Sequence, residues 1–134
     1  MSDQQRRDKM IELIKETKNY IDDEEVNGED LLFYDHGFTS MDMLDLLFQM
    51  EQCYEIRIPE GTIYSLARGD MPDDQFSDNG YLTDRGREQL MKLLYDTPEN
   101  IFAQKIHKSA LPLYCTVDAM IRLVEHCTQL KNDV

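Results

Sequence analysis

Four segments place apolar residues every three or four positions, and no segment alternates convincingly between apolar and polar. That periodicity confines the chain to helices. Met10, Leu13, Ile14, Thr17 and Ile21 mark a first amphipathic helix over 8–21. From Ser40, the positions Met41, Leu44, Leu47 or Phe48, and Cys53 or Tyr54 mark a second, with Ser40 as its cap and Asp42 in its first turn. Thr83 opens a third over 84–95 on Leu90, Leu93 and Leu94. Thr116 opens the last, with Val117, Met120, Ile121 and Val124 on one face.

The connections are read from turn chemistry. Asp22-Asp23-Glu24-Glu25 and Asn27-Gly28-Glu29-Asp30 make residues 22–39 a long loop, pinned to the core by Leu31, Leu32 and Phe33. Ile56-Arg57-Ile58-Pro59-Glu60-Gly61 is an extended exit from the second helix. Met71-Pro72-Asp73-Asp74 and Asp78-Asn79-Gly80 are turns, and Thr97-Pro98-Glu99 starts a short helix through Ile106. Leu111-Pro112-Leu113 interrupts the pattern. With 134 residues, 41% of them hydrophobic, the chain is expected to form one domain with a real core.

Charge narrows the partners. The 14 Lys and Arg stand against 27 Asp and Glu, a net charge of −13. Phosphate backbones and anionic membranes are disfavoured on that balance, whereas a protein with a basic docking face is favoured. No run is long and apolar enough to span a membrane, and Met1–Arg7 lacks a signal-like apolar stretch, so stable membrane insertion is not expected. Cys53, Cys115 and Cys127 are odd in number and unpaired in spacing, which points to a reducing cytoplasm.

The informative segment is Asp35-His36-Gly37-Phe38-Thr39-Ser40-Met41-Asp42, a serine behind a glycine-containing loop at the start of an acidic amphipathic helix. It resembles the acyl carrier protein family. Leu46, Met50 and Tyr54, the Ile56–Pro59 exit and the Thr116-Val117 start of the last helix extend the resemblance over about two-thirds of the chain. The resemblance implies an all-α carrier bundle. It also implies 4′-phosphopantetheine attached covalently to Ser40, with Gly37, Thr39 and Met41 around the attachment point. Asp42, Asp45, Glu51 and Glu55 would dock partners, since 41–60 holds five acids and one base, Arg57.

Thr39-Ser40-Met41 departs from the family's usual Asp-Ser-Leu. Met41 is expected to keep a buried apolar contact, and Thr39 removes a charge that a transferase could read. A larger departure is residues 62–115, expected as an ordered helical insertion. The implied function is non-catalytic. The chain would carry acyl groups as thioesters in a specialised lipid, lipopolysaccharide or secondary-metabolite pathway, as a cytoplasmic monomer without nucleic-acid binding. Its partners would be a phosphopantetheinyl transferase, a loading enzyme and a ketosynthase or acyltransferase. The alternatives are an interaction module of the same fold that lacks the arm, and, as the remotest, an enzyme whose insertion adds catalysis.

Other residues read as structural. His36 is expected to pack against Phe or Tyr. His107, Cys115, His126 and Cys127 match no zinc spacing, and no metal site is expected. Asp78–Thr83 resembles part of a calcium loop, but Gly86 stands where the bidentate Glu would be needed. The methionines suit an adaptable core.

Overall fold

The computed structural model describes residues 1–20 and 24–132. Ser2 opens α1 (Asp3–Lys18) with a capping box, its hydroxyl accepting the Gln5 N–H while the Gln5 side chain accepts the Ser2 N–H. Helix α1 thus begins earlier than its apolar pattern and stops at Asn19 in the left-handed conformation. The expected continuation to Ile21 and the acids Asp22 and Asp23 lie outside the described residues. Helix α3 (Ser40–Tyr54) and helix α7 (Val117–Asn132) pack on α1 and on each other. Met10, Leu13 and Ile14 of α1, Leu46 and Met50 of α3, and Met120 and Val124 of α7 meet in the core. The expected all-α carrier bundle is the fold observed.

The stretch 22–39 is not wholly loop. Leu32–His36 forms a short helix, α2, because Leu32 is buried on one side and Gly37 can close the turn at φ 63°. Leu31 and Leu32 pin it as expected, but Phe33 is exposed and Phe38 takes the buried aromatic position. Its start is stitched to that of α7: Leu32 N–H donates to Cys115 O at 3.2 Å, and Val117 N–H to Asp30 O at 3.0 Å.

Between α3 and α7 run α4 (Thr62–Arg68), α5 (Asp73–Phe76), β1 (Ser77–Asp78), β2 (Tyr81–Leu82), α6 (Asp84–Leu93) and two 3₁₀ segments, Glu99–Phe102 and Lys108–Tyr114. The small hairpin corrects the strand-free expectation. Asn79 and Gly80, at φ 52° and 87°, supply the paired left-handed residues of a tight turn. The expected helix through Ile106 ends at Phe102 as a 3₁₀ turn, and Pro112 lies inside the second 3₁₀ segment instead of breaking structure. Pro112 cannot donate a backbone hydrogen bond, and the tighter turns accommodate it. Helix α4 packs on α6, and the second 3₁₀ segment packs on α2, α3 and α4. Phe76, Leu90, Phe102, Ile106 and Leu111 are buried in the same apolar cluster as α1, α3 and α7. The intervening region and the three long helices therefore share a core.

Candidate functional site

Three consecutive residues build the turn between α2 and α3. Gly37 caps α2 with its N–H on Leu32 O and Phe33 O, and a Cβ there would meet nothing within 4 Å. Phe38 is fully buried. Thr39, rather than Ser40, caps α3: its hydroxyl accepts the Asp42 N–H at 3.1 Å, and the Asp42 carboxylate accepts the Thr39 N–H at 3.0 Å. Both side chains suit a cap, and the register chosen by Phe38 gives the role to Thr39. Ser40 is therefore the first helical residue. It is exposed, and its hydroxyl bonds to no described residue.

Lys18 reaches this turn from the end of α1. Its Nζ lies 3.0 Å from Asp42 Oδ2, donates to Gly37 O at 3.2 Å and sits 5.7 Å from the centre of the Phe38 ring. The backbone bond from Thr39 holds the Asp42 carboxyl below the usual carboxylate range, with Lys18 adding to it against a smaller effect of burial. His36, on the other side of Gly37, is buried as expected against a tyrosine, Tyr20. Its Nε2 lies 2.8 Å from Asp30 Oδ2 and its Nδ1 2.8 Å from the Tyr20 hydroxyl. A carboxylate only accepts, so Nε2 donates to Asp30, and the Tyr20 hydroxyl, which can donate or accept, completes the pairing of the ring at Nδ1. Burial pushes the Tyr20 hydroxyl up.

The acids of α3 divide by role. Asp42 is engaged in the cap and with Lys18, and Glu51 accepts the Ile58 N–H at 2.8 Å. Asp45 and Glu55 are exposed, Asp45 accepting from Gln49 and Glu55 ending the helix at φ 54°. The apolar face of α3 is not the expected one. Met43, Leu46 and Met50 are buried, whereas Met41, Leu44 and Phe48 are 75%, 64% and 60% exposed. Met41 thus makes no buried contact. It begins an outward apolar stripe, one position beyond Ser40.

The sequence reading missed Lys18 and the outward stripe. No spacing rule links Lys18 to a carboxylate 24 residues later. The stripe carried a signal, since α3 has apolar residues on two faces. The region after α3 also reaches the site's flank: Gln104 Nε2 donates to the Tyr34 hydroxyl at 3.0 Å and to the Tyr114 hydroxyl at 3.2 Å. His107, Cys115, His126 and Cys127 do not come together as a metal-binding group among the described residues.

A family model described as the phosphopantetheine attachment site matches residues 8–68. No curated protein and no solved structure matches the chain. Domains of that family carry 4′-phosphopantetheine covalently on a serine, and serve a phosphopantetheinyl transferase and biosynthetic enzymes.

Proposed function

We propose that this chain is a carrier of the acyl carrier type, on the match of residues 8–68 to the phosphopantetheine attachment-site family, and that Ser40 is the serine that holds the arm. Residues 8–68 contain two serines, Ser40 and Ser65. Ser65 lies inside α4, with its N–H bonded to Gly61 O. Both serines are exposed, and what differs is position: Ser40 is the first residue of a 15-residue helix, directly behind the Gly37 turn. This contrast carries the assignment.

The surroundings fit the group. A phosphodiester on Ser40 meets the positive end of the α3 dipole, and Gly37 leaves open space beside it. When bound, the group supplies a thiol that holds acyl cargo as a thioester. The protein supplies position and recognition. Tethering replaces a search through solution by a search within reach of the arm.

Met41, Leu44 and Phe48, flanked by Asp45 and Glu55, form the docking face in this reading. An exposed apolar stripe rimmed by acids suits a partner with an apolar pocket and a basic rim. Asp42 and Glu51 support the fold of that face from within. The whole chain acts as one non-catalytic carrier domain in the cytoplasm, with residues 62–115 as an insertion specific to it. Its partners are a phosphopantetheinyl transferase, a loading enzyme and a ketosynthase or acyltransferase. Bacterial lipid or lipopolysaccharide acylation is the pathway class we favour.

The test is intact mass after incubation with coenzyme A and a broad-specificity phosphopantetheinyl transferase. One added arm on the wild type and on Ser65→Ala, and none on Ser40→Ala, is the expected result. No addition to the wild type, with a standard carrier modified in parallel, would leave an interaction module that lacks the arm.

A further inference from the structure

The arm on Ser40 has to be installed, and a residue from a different helix touches the turn that presents the serine. We infer that Lys18 is a positioning residue for phosphopantetheine transfer to Ser40, an inference that rests on the Ser40 assignment above. One ammonium group touches three successive parts of the turn: the carbonyl of Gly37, the ring face of Phe38 and the carboxylate of Asp42. Those three bracket Thr39 and Ser40. Lys18 belongs to α1, so its contacts lock the α2–α3 turn to a different long helix.

The physical argument is one of geometry and charge together. Gly37 is in the left-handed region with open space where a Cβ would stand, and its N–H ties the turn to α2 while buried Phe38 anchors it in the core. The Thr39–Asp42 box orders the first turn of α3 but does not fix that turn relative to the rest of the protein. Lys18 does both. It pairs with the Asp42 carboxylate and fastens the turn at both ends. The Lys18 side chain is about four-fifths buried, so solvent screens these contacts less than it would at a free surface.

In the transfer step the Ser40 Oγ attacks the phosphorus that bears the pantetheine of coenzyme A. The Oγ–phosphorus bond forms, and the bridging oxygen–phosphorus bond of the diphosphate breaks. The hydroxyl proton passes to a base of the transferase, and adenosine 3′,5′-bisphosphate leaves. The chain's contribution is to present Oγ along that line. A small displacement of an attacking atom is costly, whereas the docking stripe on α3 is unchanged by it. Loss of Lys18 should therefore act on turnover more than on apparent affinity.

The experiment measures kcat and KM of a broad-specificity transferase for the wild type, Lys18→Met, Lys18→Arg and Gly86→Ala, well below their unfolding temperatures. Gly86 lies in α6 and serves as a destabilised control with the turn intact. Lys18→Met keeps the aliphatic stem. It is expected to lower kcat about tenfold with KM within about twofold, while Lys18→Arg recovers most of the rate and Gly86→Ala loses little. Amide exchange at Asp42 and Met43 should accelerate in Lys18→Met alone. If that variant does not fold, Asp42→Asn removes the ion pair from the other side and keeps an oxygen for the Thr39 N–H. An unchanged kcat in Lys18→Met, or a loss matched by Gly86→Ala, overturns the inference. A wild type that takes up no arm overturns the Ser40 assignment itself, and the role of Lys18 with it.

Discussion

Thr39 and Asp42 cap each other, hydroxyl to N–H at 3.1 Å in one direction and carboxylate to N–H at 3.0 Å in the other. This pair decides where α3 begins, and so it puts Ser40 on the helix instead of in the cap. Thr39→Ala should cost about 1 kcal/mol of stability, measured by urea unfolding. The carboxyl of Asp42 is lower in the folded chain than its ordinary value of 3.8. Its contribution is therefore fully present above that value and lost as the pH falls through the folded one. The stability gap between wild type and Asp42→Asn should be open at neutral pH and shrink as the pH falls below 3.8 towards the folded carboxyl's lower value. A gap independent of pH would mean that the carboxylate contributes no charge term.

Glycine in a helix usually gains from replacement by alanine, and here it should lose. A Cβ on Gly86 would stand 2.0 Å from the Phe76 carbonyl oxygen, so α6 would have to move off α5. Gly86→Ala should destabilise by about 1–3 kcal/mol, against the gain of up to about 1 kcal/mol that helix propensity alone predicts. Thermal unfolding of the purified variant reads the sign directly.

Thiol chemistry should separate the cysteines. Burial pushes Cys115 up to about 12 and raises Cys127 as well, and neither thiolate forms readily near neutral pH. Cys53 is exposed on α3. Maleimide labelling of the native chain should stop at one adduct, at Cys53, and reach all three cysteines in denaturant. Rapid native labelling of Cys115 would show that the start of α7 opens.

The outward stripe of α3 should matter to partners and not to folding. Leu44→Asp and Phe48→Ala remove exposed surface, so stability should stay within about 0.5 kcal/mol. KM of the transferase for the same variants should rise. A fall in stability with unchanged KM would identify the stripe as packing surface.

Much was legible along the chain because local chemistry settled it. The Thr83 and Thr116 caps, the Asn79-Gly80 turn and the buried faces of α1 and α7 follow from residue type and spacing. The attachment motif was legible for the same reason: its glycine, serine and acids lie within eight residues. The acids that would dock a partner were legible only as a group. Glu51 and Asp42 bond to backbone N–H groups that a sequence does not locate.

By itself the sequence determined the helical class and the acidic balance, and it marked the stretch where we propose the arm is attached, since each depends on neighbours in the chain. Tertiary structure decided which side of α3 is buried. Both 41-44-48 and 43-46-50 have helical spacing, and the packing of α1, α7 and the second 3₁₀ segment selects the second. It also decided that Lys18 meets Asp42, and that residues 62–115 share the core of the long helices. Periodicity reports that a face is apolar; what covers that face is set by chain segments far away in sequence, and those meet only when the whole core closes.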